Sequence, residues 1–315
     1  MKTRKKKSNL QRITKRIRRS KSKSKKTMKT KKTLKKVNCS PYSELNSSKN
    51  TCYTNNDLIK LKDLWNSRHS DNIIKSDCPK KIHEVLTEKL SRICDKESCW
   101  LNKIMNKDEI KKNNFLKVFA PKSPVEWKSN PNEWLSSSDI TNVMRQYEKA
   151  YKCFSFIGPS PIDFDNRKLY GKCVWEELCN FNLGDYIDDK KNKIGIIFNT
   201  DPHYLDGSHW VSLFINIKKK IIFYFDSVGS KIPSEIKLFI ERIKKQGALY
   251  NISFKYESNY GFAHQKSNTE CGVYSLYFIV QLLKDTKSVK DFKTKKFHDK
   301  YIEKFRKIYF NEKIN

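Results

Sequence analysis

Apolar positions along the chain fall into helical and strand-like periods separated by polar stretches. Leu58, Ile59, Leu61, Leu64 and Trp65 lie close to helical spacing and predict a helix over Asp57–Trp65. Ile82, Val85, Leu86, Leu90 and Ile93 repeat that pattern over Lys81–Cys94. Ser136–Ser138 offer an N-cap for a helix over roughly Asp139–Tyr151. Four strands are then predicted: Ile194–Asn199, Trp210–Ile217, Ile221–Asp226 and Ile252–Glu257. Between the last two, Ile236, Phe239, Ile240 and Ile243 give Ser234–Gln246 a helical period. Further helices are expected from Cys271 to about Lys284 and over Phe297–Tyr309. Mixed strands with segregated helices indicate an α+β domain.

Pro121, Pro124 and Pro131 interrupt the chain before Trp134 and place a linker near 112–131. Three segments are therefore expected: a basic tail at 1–36, a helical N-terminal arm at 37–115, and an α+β domain at 116–315. Charge sharpens the first boundary. Lys and Arg total 66 against 34 acidic residues, and 19 of these basic residues lie in 1–36, which holds no Asp or Glu. So polar a tract cannot offset its ordering entropy, and disorder is expected. It suits DNA or another polyanion, nuclear targeting, or plain solubilisation. No aromatic residue interleaves its charges, so base stacking and sequence-specific reading are not expected.

The longest apolar stretch, around Val273–Leu283, falls short of the roughly 20 residues that span a bilayer. The basic N-terminus lacks the apolar segment of a secretory signal. The chain is thus expected to be soluble and not secreted. Its nine cysteines are odd in number and irregular in spacing, which in a reducing compartment means free thiols, one of them catalytic. Five lie in the arm: Cys39, Cys52, Cys78, Cys94 and Cys99. No C-x-x-C pair occurs among them, so buried or free thiols are the expectation rather than a zinc site. No metal and no cofactor is expected.

Four residues carry candidate chemistry. His209 opens the strand Trp210–Ile217 and Asp226 closes the next, across a short turn at Lys218–Lys220. Antiparallel pairing about that turn sets the two side by side, so the carboxylate can orient the imidazole. Cys271 begins an apolar helix, where the positive end of the helix dipole favours thiolate over thiol. An adjacent imidazolium would favour it further. Gly272 is expected to leave room for a substrate backbone. Gln265 lies in the preceding polar loop, and its side-chain N–H with the backbone N–H of Cys271 could hold a developing oxyanion. Each residue also has an ordinary reading: a structural histidine, a turn-initiating aspartate, a buried cysteine. His203 and His264 are rival bases, and Cys153, Cys173 and Cys179 rival thiols, each in a less suitable context.

The stretches GSHWVSLF (207–214), FYFDSVG (223–229) and HQKSNTECGVYSLYF (264–278) resemble the ubiquitin-like-protein proteases and adenovirus-type cysteine proteases. The nearest branch is that of the polyprotein-processing enzymes of African swine fever virus and its relatives in large DNA viruses. The resemblance spans roughly residues 80–310 and leaves the basic tail outside. It implies a papain-like core, a mixed sheet flanked by helices. By position it makes His209 the base, Asp226 its orienting partner, Gln265 the oxyanion donor and Cys271 the nucleophile. In the ubiquitin-like-protein proteases a Trp after the catalytic His and another in a Trp-Leu-Asn-Asp motif line a tunnel that only glycines fit. Trp210 matches the first. Trp134 matches the second in part, since Ser-Ser replaces Asn-Asp.

The resemblance implies a viral cysteine endopeptidase that matures structural polyproteins or core proteins by cleaving after Gly-Gly, in the virion or the host cytoplasm. One alternative is a deconjugating protease whose partner is a ubiquitin-like modifier. Another is an inactive protease fold that serves as a nucleic-acid-associated core protein.

Overall fold

A computed structural model of the chain describes residues 34–113, 115–167 and 171–312. The expectation of a disordered tail lies outside the described residues for 1–33. Its last three residues are placed: Leu34 packs against the arm, and the Lys35 N–H donates to the Asp95 carbonyl at 2.6 Å.

The arm holds α1 (Pro41–Asn46), α2 (Asn55–Asn66), α3 (Pro79–Leu90), α4 (Ser98–Ile104) and α5 (Lys107–Lys112). Capping boxes, Thr54 with Asp57 and Asn106 with Glu109, start α2 and α5 by satisfying orphan N–H groups. Leu58, Leu61 and Trp65 of α2 meet Ile82, Leu86 and Leu90 of α3 in a core that also takes in Tyr53, Trp100 and Phe119. Residues 112–131 are not a free linker. Phe115, Val118 and Phe119 are buried, and the Ala120 N–H donates to the Asn38 carbonyl.

The rest of the chain contributes α6 (Ser137–Ala150), β1 (Phe154–Ser160), α7 (Glu176–Cys179), α8 (Leu183–Asp188), β2 (Lys193–Asn199), β3 (Trp210–Asn216) and β4 (Ile221–Phe225). It continues with α9 (Ser234–Leu249), β5 (Lys255–Ser258), α10 (Cys271–Leu283), α11 (Val289–Thr294), α12 (Asp299–Ile302) and α13 (Arg306–Tyr309). The five strands form one mixed sheet in sequence order. β2–β3 and β3–β4 are antiparallel, and the outer pairs β1–β2 and β4–β5 are parallel. Alternation along β3 sends Trp210 and Phe214 to the face covered by α6 and α10. Val211, Leu213 and Ile215 go to the face covered by α8 and α9.

Helix α10 is the hub. Twelve of its 13 residues are buried, as expected of a helix apolar on every side. Gly195 of β2 permits its close approach, because a Cβ there would lie 2.8 Å from the Ile279 side chain.

The α+β architecture and its mixed sheet with flanking helices are as expected; among the differences, three stand out. Strand β1 was not foreseen: Gly158-Pro159 reads as a strand breaker, yet β1 lies at the sheet edge, where proline is tolerated. The expected helix Phe297–Tyr309 is broken into α12, a 3₁₀ turn at Glu303–Phe305 and α13. The free-thiol expectation is corrected for six cysteines, which pair as Cys39–Cys52, Cys94–Cys99 and Cys173–Cys179. Their Cα atoms lie 5.1, 5.6 and 6.2 Å apart, within bridging reach. Cys78, Cys153 and Cys271 are free.

Candidate active site

The β3–β4 register pairs Ser212 with Phe225, which carries His209 and Asp226 to one end of the sheet. There the His209 Nε2 meets Asp226 Oδ1 at 2.6 Å. Asp226 is 2% exposed, and its oxygens also accept from the backbone N–H groups of Val228 (3.0 Å) and Ser230 (3.1 Å). Those two bonds need the tight turn after Asp226. Gly229 makes it with φ +71°, where a Cβ would also come within 2.9 Å of the Ala263 nitrogen. Asn259, 1% exposed, fixes the aspartate backbone from the other side. Its Oδ1 accepts from the Asp226 N–H at 3.0 Å and its Nδ2 donates to the Asp226 carbonyl at 2.6 Å.

With Nε2 committed to Asp226, the second group that interacts with the His209 side chain is Cys271. Burial works against charge on His209. Hydrogen bonding and attraction from Asp226 and from Cys271 outweigh it and raise the imidazole from 6.5 to about 9. The imidazole therefore stays protonated through neutral pH when both partners are present.

Cys271 is 2% exposed and is the first residue of α10. Glu270 before it is fully buried and locked to Arg306, with Nε to both carboxylate oxygens (3.0 and 2.9 Å) and Nη2 to Oε1 (2.8 Å). Arg306 also donates to the carbonyls of Glu133 (2.6 Å) and Thr269 (3.1 Å). One side chain thus joins the start of α10 to the segment before Trp134.

Gln265 is 5% exposed and anchored beside Asp226 through Ser227. The Ser227 hydroxyl donates to Gln265 Oε1 at 2.7 Å, and the Gln265 N–H donates to the Ser227 carbonyl at 2.8 Å. Its Nε2 spends one donor on the Ser267 carbonyl at 2.7 Å. An amide nitrogen carries two, so one remains.

Trp210 donates its indole N–H to the Leu135 carbonyl at 3.0 Å, and Gly272 packs against both residues. A Cβ on Gly272 would meet Leu135 at 3.1 Å and Trp210 at 3.2 Å. Its missing side chain thus serves the seating of α10 on Trp210, a correction to the expected substrate clearance. Trp210 and the half-buried Trp134 line one cleft of about 670 Å³. Trp210 also borders a second of about 590 Å³, with His203 and Trp175.

The rivals have other duties. His203 Nδ1 pairs with Asp163 Oδ2 at 2.7 Å at the rim of the second cleft. His264 is fully buried, which lowers its basicity. Its Nε2–H donates to the Phe292 carbonyl and its Nδ1 accepts from the Phe297 N–H, the state of a neutral structural imidazole. Cys173 and Cys179 are bonded to each other. Sequence reasoning missed Asn259 and the Glu270–Arg306 pair. No local motif marks either, since their partners lie 33 and 36 residues away.

A mixed sheet that sets a thiol at a helix start against a His–Asp pair is the architecture of a cysteine peptidase, and this protein is one. It belongs to the Ulp1 protease family, whose C-terminal catalytic domain matches residues 136–315. A protein of Acanthamoeba polyphaga mimivirus named as a thiol protease is 32% identical over 248 residues, covering 76% of this chain and 73% of the relative. A cysteine protease of African swine fever virus is 25% identical over 248 residues, covering 76% and 90%. The crystal structure of the African swine fever virus protease superposes with a TM-score of 0.61 at 22% identity, covering 89% of this chain and 98% of that one. That likeness extends through the arm as well as the catalytic fold. Among the described residues no helix is long and apolar enough to cross a membrane.

Proposed function

We propose that the protein is a viral endopeptidase that matures structural polyproteins by hydrolysing peptide bonds after Gly-Gly. Cys271 is the nucleophile, His209 the base and acid, Asp226 its orienting partner, and Gln265 a donor to the oxyanion. The observation that carries this reading is His209, bonded through Nε2 to a buried Asp226 and interacting with the sulfur at the start of α10. The Cys271 sulfur attacks the scissile carbonyl and the carbonyl oxygen becomes an oxyanion. The free Gln265 Nε2–H and the Cys271 backbone N–H stabilise it. The tetrahedral intermediate collapses to a thioester as imidazolium gives its proton to the leaving amine. Water, deprotonated by His209, then releases the acid product. Trp210 and Trp134 narrow the cleft that would take the glycines.

The polyprotein assignment draws on the resemblance of the stretches 207–214, 223–229 and 264–278 to the polyprotein-processing branch; relatives in African swine fever virus are named as a cysteine protease and as SUMO-1 cysteine proteases, which keeps deconjugation as the second reading. Gly-Gly-X peptides and precursors of ubiquitin-like modifiers, each incubated with wild type and Cys271→Ala, test both parts. Peptide cleavage lost in the variant is the expected result. Full activity in Cys271→Ala would remove the nucleophile assignment, and processing of folded modifiers alone would replace the polyprotein reading with deconjugation. The tail gives the enzyme a hold on DNA or another polyanion in the virion or viral factory. Deleting residues 1–33 should weaken DNA binding and flatten its salt dependence without changing peptide cleavage. Unchanged DNA binding would reject that role.

A further inference from the structure

The arm meets the C-terminal end of the chain around a cavity of about 720 Å³. That volume is in the range of small-molecule sites. The end of the basic tail lends Lys35 and Lys36 to its wall, the arm lends Lys96, and the catalytic part lends Lys128, Arg306 and Lys307. Among the described residues of the wall, Glu303 and Glu312 are the acidic ones. Lys35 shares its charge with Asp95 at 2.9 Å, Arg306 is neutralised by Glu270, and Lys128 is engaged as well. Even so, basic residues from separate segments of the chain, Lys36, Lys96 and Lys307 among them, line one concave space, and gathering like charges there is unfavourable without a counter-charge.

The chain's general basicity does not account for this. The cleft at Trp210 and Trp134 is lined by Glu126, Glu133, Asp139 and Asp206 with Lys122 as its one lysine. Positive charge is therefore concentrated in one cavity, while the charged lining of another of similar size is mainly carboxylate. The basic cavity also has an aromatic floor. Trp127 lies beneath the Arg306 guanidinium at 4.6 Å and edge-on to Phe310 at 5.2 Å.

We propose that this cavity binds a compact, multiply phosphorylated anion. Clustered phosphates supply the several acceptors that the lining lysines need, and a small scaffold fits the volume. The ligand would bridge arm and C-terminal segment and relieve the repulsion between them. Arg306 in the same wall holds Glu270 and the carbonyl of Glu133, so the bound anion would also brace the start of α10 and the Trp134 segment. Any effect on turnover rests on Cys271 being the nucleophile. Binding itself does not.

Thermal unfolding of the full chain in sodium tripolyphosphate, in ATP and in sodium chloride of matched ionic strength tests the site. A saturable rise in Tm with tripolyphosphate, absent with chloride, is expected. A further rise with ATP would assign a nucleotide that uses the Trp127 floor, and equal response a free polyphosphate. Reversal at Lys36→Glu, Lys96→Glu and Lys307→Glu together should weaken the apparent affinity by about tenfold or more, three charged contacts being lost. Reversal at Lys5→Glu, Lys6→Glu and Lys7→Glu in the tail should leave it unchanged. Should the triple cavity variant fail to fold, the single variants Lys96→Ala and Lys307→Ala must each lower affinity. The proposal is overturned if chloride acts equally, if only the tail variant loses the response, or if duplex DNA protects and tripolyphosphate does not.

Discussion

Arg306→Met is the sharpest perturbation of the site that leaves its reacting groups in place. The Glu270 and Arg306 side chains are 0% and 6% exposed, so the substitution strands a carboxylate with no water to receive it. It also takes donors from the carbonyls of Glu133 and Thr269. Breaking a buried pair by removing one partner costs about 3–5 kcal/mol. The stranded carbonyls push this case to the upper end. Against a total stability of about 5–15 kcal/mol, the loss is a large fraction. Urea unfolding followed by tryptophan fluorescence reads it as a fall in midpoint at constant slope.

The double variant Glu270→Leu/Arg306→Met separates stability from positioning. An apolar pair of similar volume often replaces a buried ion pair with little loss or a gain of stability. The midpoint should therefore recover. Peptide cleavage should not, because the tie between the residue before Cys271 and the segment before Trp134 stays cut. A drop below about 1 kcal/mol in Arg306→Met would refute the burial reasoning, that being the range of an exposed pair. Recovery of both stability and kcat/KM in the double variant would refute the positioning role.

The remaining predictions concern charge, the cleft and the arm. His209, raised from 6.5 to about 9, contributes stability that is full below pH 6.5 and lost as pH rises through about 9. In Asp226→Asn the His209 titration, followed by NMR, should move down toward 6.5, and kcat/KM should fall by a factor on the order of 10²–10⁴; an unmoved titration would exclude Asp226 as the cause. Trp134→Ala should raise KM for Gly-Gly peptides and admit Ala-Ala peptides that wild type rejects; unchanged selectivity would remove it from the cleft wall. Asn311→Ala deletes side-chain bonds to Asn38 N (2.7 Å), the Asn38 carbonyl (2.9 Å) and the Ala120 carbonyl (3.1 Å). It should cost about 2–4 kcal/mol and speed proteolysis within the arm, and an unchanged proteolysis rate would count against the clasp.

Legibility in the sequence followed the range of the interaction. Helix α10 was readable because a largely apolar run after a cysteine needs only local periodicity, and its observed start is Cys271. The meeting of His209 and Asp226 was readable because a short turn, four residues between Asn216 and Ile221, fixes strand register. Strand β1 was not, since its parallel partner β2 lies over 30 residues on and Gly158-Pro159 masks its pattern. The C-terminal aromatics Phe297, Tyr301, Phe305 and Tyr309 kept helical spacing while the backbone took a 3₁₀ turn between α12 and α13. The disulfides were beyond reach because spacing alone leaves many pairings open.

The long-range interactions share a location, and this bears on what the arm is for. Asn311 accepts from the Asn38 backbone and donates back to its carbonyl, while its own N–H donates to the Pro121 carbonyl and its carbonyl accepts from the Ser123 N–H. Arm, connecting segment and C-terminus therefore close on one residue five positions beyond Arg306. From Arg306 the chain of contacts runs to Glu270 and so to the residue bearing the thiol. A segment that only carried the tail would have no reason to bury Phe119 or to give up backbone hydrogen bonds to the last strand-like residues of the chain. Cutting the arm away would expose the apolar surface it shares with residues 115–120 and free the backbone that positions Arg306. We therefore expect the arm and catalytic part to unfold together as one cooperative unit, with the stability of the arm setting the order of the active site.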